Sequence, residues 1–529
     1  MRLFFMISGR ARARLVQAGT AFVAAALIAG CGNSYRPVVT PINPSGPPAQ
    51  PTSYAVVVSA PAPTSPGIVT ILDYSGDTVM ALAPIGPGPN SFVLDQLGAT
   101  GYTVDSDGTL ANFPITTSLQ AKNVTYSTLS SASKPVNLMA PSSGLWAPDL
   151  NGNVADVFTS SPQAFKLAIP VAPTPITIVG SPNLQGQREY VISQNFTDPT
   201  GVACNISPTT QPTGLATPIE ISTYSADAPI LLGKCPVYAI QSPDQKRLFV
   251  LNRGDDTITV IDVQKNALDS CTPFQNVNQT GQWVTCHPTL PISTSAVTAT
   301  GIAPPNGTSG MPATAGPVYA EYISATNQIA IADYDGGTIT VIDVPLDEFG
   351  YDYNTYANPT CTVNGVTSYA NCGAITAGFG TTYTIPVGNN PASVTVLADG
   401  TRAYTANQTD GTVTIANLSS YTVEKTLTVV GHPRTVVSTQ NSLYGKVYAA
   451  SPDSPYLTIL ATLTDLVDTT ILIEGNVVDV RVSTQNGSNG NSNITSRSGG
   501  HGQPCNLPPA LMVSTYGANY TLAQCQAIP

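Results

Sequence analysis

The sequence is poor in charged residues, in basic residues and in histidine. Only 10% of its 529 residues are charged, well below the roughly 25% of an average globular domain. With 20 Lys+Arg against 31 Asp+Glu, the formal net charge is −11, and without a basic footprint no nucleic-acid partner is expected. Three histidines and no Cys-x-x-Cys-His motif argue against a haem protein or a multi-histidine metal enzyme. We therefore expect neither a cofactor nor a metal.

Sustained helical periodicity is missing beyond the first 30 residues, and the composition favours strands and turns. Gly and Pro number 44 and 46, while hydrophobic residues still make up 42%, which is enough for a large core. Short runs of β-branched residues alternate with tight turns of Asp, Gly and Asn. That alternation is the signal of β-hairpins, so the predicted fold class is all-β.

Residues 1–30 predict an export signal, because arginines precede an apolar stretch, Ala21–Ala29, that is too short for a comfortable membrane span. The stretch runs into Leu27-Ile-Ala-Gly-Cys31, which resembles the lipobox of bacterial lipoproteins. That resemblance implies cleavage before Cys31 and a lipid on that cysteine. An ordinary secretory signal or an uncleaved helix is the alternative.

The expected location is the cell envelope, on its periplasmic or surface face. Gly32 follows the lipidated cysteine, and in bacteria that sort lipoproteins by that residue a Gly points to the outer membrane. Residues 31–53 are rich in Pro and predict an extended, semi-rigid tether. The lipid is the only membrane contact expected, because an acidic surface is not attracted to anionic headgroups.

The cysteines other than Cys31 suit an oxidising compartment, since their number is even in an exported chain. They are Cys204, Cys235, Cys271, Cys286, Cys361, Cys372, Cys505 and Cys525. Sequence neighbours would pair as 271–286, 361–372 and 505–525, which leaves Cys204 with Cys235. Eight cysteines allow roughly a hundred connectivities, so this one stays open. Free thiols or a metal are the alternatives, and zinc is disfavoured because no Cys-x-x-Cys spacing exists.

A unit of about 40 residues recurs through residues 54–486. A proline opens the unit and a turn residue follows nine positions later, as in Pro391 and Gly400. A second strand, a turn of Gly, Asp and Asn, and a third and a fourth strand complete it. Four antiparallel strands in a repeat of this length predict the blade of a β-propeller.

Some of these strands resemble the YVTN family of β-propeller repeats. Phe249-Val-Leu-Asn252 and Tyr404-Thr-Ala-Asn407 stand where that family has its Tyr-Val-Thr-Asn. Thr257–Asp262 and Thr338–Asp343 match the strand that follows. The close matches lie in residues 236–263 and 317–475, while residues 54–235 match loosely. The resemblance implies a propeller, for which seven blades are usual in the family, and it is nearly silent on function.

The repeats predict eight blades, with seven as the alternative. Repeat starts lie near residues 89, 135, 174, 236, 317, 391, 433 and 476. The last repeat has only its first strand, whereas residues 54–88 lack an opening strand. We therefore expect Val477–Val482 to pair with the N-terminal strands and close the ring. The irregular repeat at 174–234 leaves the count of seven open.

Insertions near residues 197–214, 270–315 and 348–380 carry the cysteines of the body other than Cys235, which lies at the junction between two repeats. A Gly/Ser/Asn-rich linker with a Cys-bracketed tail occupies residues 487–529. A long loop is usually functional or disordered. In these loops Tyr351, Tyr353, Tyr356 and Trp283 are candidate ligand-binding residues. Aromatic rings beside Asp and Asn could stack on sugars, or they could simply pack each loop onto its blade.

These observations predict a non-catalytic binding or scaffolding module at the cell envelope, with an envelope protein or a glycan as partner. One alternative is a carbohydrate- or cell-wall-binding protein that uses the aromatic insertions. Another is a lactonase-like hydrolase with its site at the central channel, although no Gly-x-Ser-x-Gly elbow is present. No catalytic residue is predicted.

Overall fold

The computed structural model describes residues 53–484 with internal gaps. The gaps are residues 62–64, 90, 96, 130–132, 142–143, 161–162, 182–187, 197–211, 243–246, 264, 270–273, 276–282, 285–288, 293–314, 345–360, 364–365 and 369–380. The predicted signal, the predicted lipidation of Cys31, residues 31–52 of the tether and the C-terminal tail lie outside the described residues and stay predictions. Ser53, which the sequence placed in the tether, instead begins a strand.

The described residues form eight antiparallel blades in a ring, as predicted. We number the blades 1–8 along the ring and name the strands of each blade inner, second, third and outer. Blade 1 contains Asn476–Thr484, Ser53–Ala60, Pro66–Asp73 and Thr78–Pro87. Blade 2 contains Ser91–Leu94, Thr100–Val104, Thr109–Pro114 and Thr125–Thr128, with a 3-10 turn at Ala121–Asn123. Blade 3 contains Leu145–Asp149, Val154–Ser160 and Gln163–Pro170.

Blades 4 and 5 each have a divided outer strand. Blade 4 contains Pro175–Ser181, Arg188–Ser193, Thr213–Glu220, Ser225–Ala226 and Ile230–Lys234. Blade 5 contains Pro236–Gln241, Arg247–Asn252, Thr257–Asp262, Ala267–Leu268 and Thr289–Pro291, with an inserted hairpin of Phe274–Gln275 and Trp283–Val284. The irregular stretch at 174–234 is thus a blade, which supports the count of eight.

Blades 6, 7 and 8 are the most regular. Blade 6 contains Pro317–Ile323, Gln328–Asp333, Thr338–Asp343 and Thr382–Pro386, with an inserted hairpin of Cys361–Val363 and Val366–Ser368. Blade 7 contains Pro391–Val396, Arg402–Asn407, Thr412–Asn417 and Thr422–Thr428. Blade 8 contains Thr435–Ser438, Lys446–Ala450, Tyr456–Ala461 and Leu466–Leu472.

Ring closure occurs in blade 1, where the two ends of the described chain meet. The strand Asn476–Thr484 pairs antiparallel with Ser53–Ala60, so Val480 lies opposite Val57. The Ser483 hydroxyl accepts a hydrogen bond from the Tyr54 backbone N–H at 3.1 Å. The predicted pairing of the C-terminal strand with the N-terminal strands is therefore confirmed.

Blade 3 departs from the expected four-strand ladder at its inner edge. Only isolated bridges, Pro135–Asp149 and Met139–Trp146, join the inner segment to the second strand. The offset between the partners changes by one residue from the first bridge to the second, and Pro135 and Pro148 have no N–H to donate. The inner segment occupies the predicted place without forming a regular strand.

The core lies between neighbouring blades, because both faces of each sheet are covered. The second strand Arg247–Asn252 is buried along its whole length, whereas the outer strand Leu466–Leu472 is mostly exposed. Tyr238 of blade 5 and Tyr319 of blade 6 pack with ring centroids 4.6 Å apart. This explains why inner and second strands read as nearly continuous apolar runs rather than alternating ones.

An Asn or Asp at the end of the second strand ties that strand to the third. Asn252 Nδ2 donates to the hydroxyls of Thr257 at 3.1 Å and Thr259 at 2.8 Å. Asn407 Nδ2 makes the same bonds to Thr412 at 3.0 Å and Thr414 at 2.8 Å. Asp333 accepts from Thr338 at 3.0 Å and Thr340 at 2.6 Å. The residues that resemble the YVTN repeat thus lock two strands of a blade together.

The two faces of the ring carry different loops. Turns between second and third strands, and the links from one blade to the next, lie on what we call the junction face. Hairpins between first and second strands and between third and outer strands lie on the hairpin face, where Ser53 also pairs with Thr484. The insertions of blades 5 and 6 follow third strands and therefore leave from the hairpin face.

Candidate functional site

A belt of buried polar side chains crosses the junction face of blades 5 and 6. Arg253 follows the second strand of blade 5, and its side chain is 5% exposed. Its Nε and Nη2 donate to the two carboxylate oxygens of Asp335 in blade 6, at 3.0 and 2.7 Å. Its guanidinium also lies 5.4 Å from the ring centroid of Tyr334. A bidentate ion pair of this kind holds two blades in a fixed orientation.

The belt continues into blade 7 through uncharged groups. The Tyr334 hydroxyl donates to Gln408 Oε1 at 3.2 Å, and Asn390 Nδ2 donates to the Tyr334 carbonyl at 3.0 Å.

A second carboxyl group of the belt lies in blade 5 and also contacts blade 6. Asp256 accepts a hydrogen bond from the Gly316 backbone N–H at 2.8 Å, and burial raises the pKa of Asp256 to about 6. The contacts of these groups join neighbouring blades, so we assign the belt a structural role.

The inner strands of blades 6–8 are joined in a similar way. Ser393 Oγ accepts the backbone N–H of Val436 at 2.9 Å, and Thr395 Oγ1 accepts that of Ser438 at 3.1 Å. A carboxylate oxygen of Glu321 accepts a hydrogen bond from the backbone N–H of Val396 at 3.3 Å. Side chains of one blade therefore satisfy N–H groups on the free inner edge of the next.

A cavity of about 550 Å³ opens between blades 2 and 3. Its walls come from the turn and strands of blade 3 and from the segment that joins the two blades. The lining residues are Thr128, Leu129, Ser133, Asp149, Asn151, Gly152, Val154, Asp156, Phe158, Phe165 and Ala168. A volume of this size suits a small organic ligand.

Asp149 ends the second strand of blade 3 and is held firmly at the cavity wall. Its Oδ1 accepts three backbone N–H groups, from Lys134 and Asn151 at 2.9 Å and from Gly152 at 3.1 Å. The residue is 3% exposed. Its Oδ2 has no hydrogen-bond partner among the described residues. The side chain is thus fixed by one oxygen while the other oxygen stays available.

Asp156 lies in the third strand of the same blade and is 4% exposed. The Ser133 hydroxyl donates to its Oδ2 at 3.5 Å, the upper limit for such a bond. Among the described residues its Oδ1 has no hydrogen-bond partner. Burial, with the nearby charge of Asp149, raises the pKa of Asp156 to about 7. The charge of Asp149 thus makes the ionisation of Asp156 less favourable.

The remaining lining is apolar and includes two phenylalanines. Phe158 and Phe165 meet edge to face, with centroids 5.8 Å apart and planes at 75°. Phe165 lies on the outer strand and is 57% exposed, whereas Leu129 is buried. The cavity thus has a carboxylate half and an aromatic half.

Most residues singled out from the sequence lie outside the described side chains. Tyr351, Tyr353 and Tyr356 fall in the undescribed part of the blade 6 insertion. Trp283 lies in the short hairpin strand opposite Gln275, and nothing is described of its side chain. Their role in ligand binding stays a prediction.

One predicted cysteine has a described side chain. Cys235 is fully buried at the link from blade 4 to blade 5 and forms a disulfide. The expected partner Cys204 lies outside the described residues, so that pairing stays a prediction. The same holds for the pairs 271–286, 361–372 and 505–525.

The cavity residues were missed by the sequence reasoning. Asp149 lies in a stretch of Asp, Asn and Gly that looks like an ordinary hairpin turn. Asp156 offers a better signal, because it interrupts an apolar third strand, Val154–Ser160. A carboxylate in a strand whose neighbouring positions are buried indicates either a partner or a site.

The described residues offer neither a metal-binding cluster nor a membrane-spanning helix. In that part of the chain no group of three or more His, Cys, Asp and Glu residues could hold a metal ion. Over the same residues, no helix has the length and apolar character needed to cross a membrane.

No protein-family model and no curated protein matches the chain. Solved structures do match its fold. Dihydro-haem d1 dehydrogenase NirN, in complex with DHE, is 13% identical over 85% of this chain and 78% of that chain, with a TM-score of 0.50. AztD from Citrobacter koseri is 11% identical over 81% and 97%, with a TM-score of 0.49. The periplasmic gluconolactonase PpgL of Pseudomonas aeruginosa is 12% identical over 82% and 99%, with a TM-score of 0.43. At these identities the matches show the propeller fold alone.

Proposed function

We propose that the protein is an exported, lipid-anchored β-propeller that binds a ligand at the cell envelope without transforming it. The observation that carries the binding role is the cavity between blades 2 and 3, which combines two buried carboxylates with an aromatic wall. Export and anchoring rest on the lipobox-like residues that end at Cys31.

The cavity is built for binding because its polar groups are held in place before any ligand arrives. Three backbone N–H groups fix Asp149, and the cross-strand ladder places Asp156 opposite Ala147. A site that needs no ordering on binding loses less entropy when its ligand enters.

A binding role fits the lining better than catalysis does. The described lining contains no His, the side chain most often used as a general base, and no Cys or Lys. One carboxylate oxygen of Asp149 already accepts hydrogen bonds from backbone N–H groups. Blade contacts likewise engage the polar belt of the junction face, so it offers little to the hydrolase alternative.

A cavity-filling variant tests the binding role. The full chain and its Ala168→Trp variant would be compared in a thermal-shift screen with small cationic, neutral and anionic compounds. Compounds that raise the unfolding temperature of the parent should lose that effect in the variant, because the indole occupies their volume. Asp410→Asn, at an exposed turn of blade 7, serves as the control and should respond like the parent. Hits that stabilise the filled variant equally would contradict the proposal.

The anchor is tested separately. Cells that express the parent or a Cys31→Ala variant would be fed an alkyne-bearing palmitate analogue and then fractionated. The parent should carry the label and sediment with membranes, while the variant should lack the label. Label retained by the variant, or absent from the parent, would contradict lipidation at Cys31.

A further inference from the structure

We infer that the ligand of the cavity between blades 2 and 3 is an organic cation: a protonated amine carried on an apolar group. This inference rests on the proposed binding role and names the chemistry of the ligand. It follows from the two carboxylates, from the contacts of the nearby lysines and from the apolar residues that line the cavity.

The cavity wall carries two nearly buried carboxylates, and its described lining supplies no counter-charge. Asp149 and Asp156 are 3% and 4% exposed, and each keeps one oxygen that has no partner among the described residues. The described lining holds no basic side chain. A buried carboxylate is costly unless it is paired, so a cation is the guest that this wall favours.

Two lysines, Lys134 and Lys166, belong to blade 3 or to the segment that leads into it. Lys134 offers Asp149 its backbone N–H. Lys166, on the outer strand, directs its Nζ to the Tyr224 hydroxyl of blade 4 at 2.6 Å and lies 3.9 Å from the centroid of that ring. The described side-chain contacts of Lys166 therefore lie on blade 4 and not at the carboxylates of the cavity.

The other half of the cavity favours an organic cation over a metal ion. Phe158 and Phe165 form an aromatic wall, and Leu129, Val154 and Ala168 extend it. Aromatic faces and edges pack the carbon skeleton of an amine, and a face attracts its charge. A hard metal ion would instead need more oxygen ligands than two carboxylates. A neutral sugar would leave the two charges uncompensated.

Proton linkage gives this inference a distinctive signature. Burial and the charge of Asp149 raise the pKa of Asp156 to about 7, because both disfavour its charged form. A bound cation favours the charged form, so binding at pH 6 should release about one proton, and binding at pH 8 should release almost none. The affinity should accordingly rise about tenfold from pH 6 to pH 8.

Isothermal titration of the full chain in detergent provides the test. The probes are phenethylamine, its neutral counterpart 2-phenylethanol, the anion phenylacetate, and Ca²⁺. Phenethylamine should bind at least tenfold more tightly than the other probes. Its apparent heat at pH 6 should depend on the ionisation enthalpy of the buffer, which reports the released proton.

Single substitutions distinguish the contribution of the carboxylate to binding from a general effect on folding. Asp156→Asn should weaken phenethylamine binding at least tenfold and abolish the pH dependence, while Phe165→Ser should weaken binding and keep that dependence. Asp410→Asn should behave like the parent, and unfolding temperatures check that each variant is folded.

Two outcomes overturn the inference in distinguishable ways. Equal or tighter binding of the neutral probe, the anion or Ca²⁺ would refute the cation while leaving a binding cavity. A different result would refute both the inference and the proposed binding role. In that case no probe binds, and the compounds found in the screen stabilise Ala168→Trp as strongly as the parent.

Discussion

The substitution Asp333→Asn should stabilise the protein, and its effect should depend on pH. Asp333 is 0% exposed and occupies the slot that Asn252 and Asn407 fill in blades 5 and 7. An Asn there can donate to the hydroxyls of Thr338 and Thr340, which now donate to the carboxylate. The substitution therefore keeps the link between strands and removes a buried acid.

The magnitude follows from the pKa of the carboxyl. Burial raises the pKa of Asp333 from 3.8 to about 7, so the folded state keeps a proton that the unfolded chain has lost. This term lowers stability as pH rises from about 4 to 7, and the loss is complete above the folded pKa. About 3 pKa units correspond to roughly 4 kcal/mol. Asp333→Asn should recover most of this at pH 8 and much less at pH 5.

Thermal unfolding of parent and variant at pH 5 and pH 8 measures this difference. Asn407→Asp is the matched control, because it places a carboxyl in the same slot of blade 7 and should destabilise more at pH 8 than at pH 5. Equal changes in unfolding temperature at both pH values, or a loss of stability at pH 8, would refute the reasoning for Asp333.

Truncation after residue 475 should lower the unfolding temperature sharply, because it removes the inner strand of blade 1; an unchanged melting curve would disprove closure by that strand. Arg253→Ala should cost about 3–5 kcal/mol in urea unfolding, because it leaves the carboxylate of Asp335 unpaired. Adding Asp335→Ala should recover part of that loss, and strict additivity would contradict the pairing. Cys235→Ser should cost about 2–4 kcal/mol in urea unfolding without reductant, and reductant should shrink the difference from the parent; a difference that reductant leaves unchanged would contradict a stabilising disulfide at Cys235.

The propeller could be predicted because its signals are local. Each blade is a series of hairpins, and a run such as Thr257–Asp262 followed by a tight turn specifies strand and turn within one repeat. Ring closure was also predictable. The C-terminal repeat has only a first strand and the N-terminal repeat lacks one, so the two can complete a single blade. The inner segment of blade 3 was not, because prolines disrupt its ladder.

The cavity could not be predicted, because its parts meet only through packing between blades. Thr128 and Leu129 come from the end of blade 2, while Asp156 and Phe165 come from two strands of blade 3. In the sequence, Asp156 is a single carboxylate in an apolar strand, and Phe165 has the appearance of a core residue. In the structure Asp156 is 4% exposed and Phe165 is 57% exposed.

The sequence by itself determined the all-β class and the repeated blade, and it predicted the closing strand, an exported, anchored chain and eight blades with seven left open. Class and blade depend on residue type and spacing along a few tens of residues, which is the range of hairpin formation. Closure followed from comparing the incomplete repeats at the two ends. The tertiary structure decided which polar residues serve the fold and which face a cavity. That distinction depends on burial and on partners contributed by a neighbouring blade, and neither is encoded in local spacing.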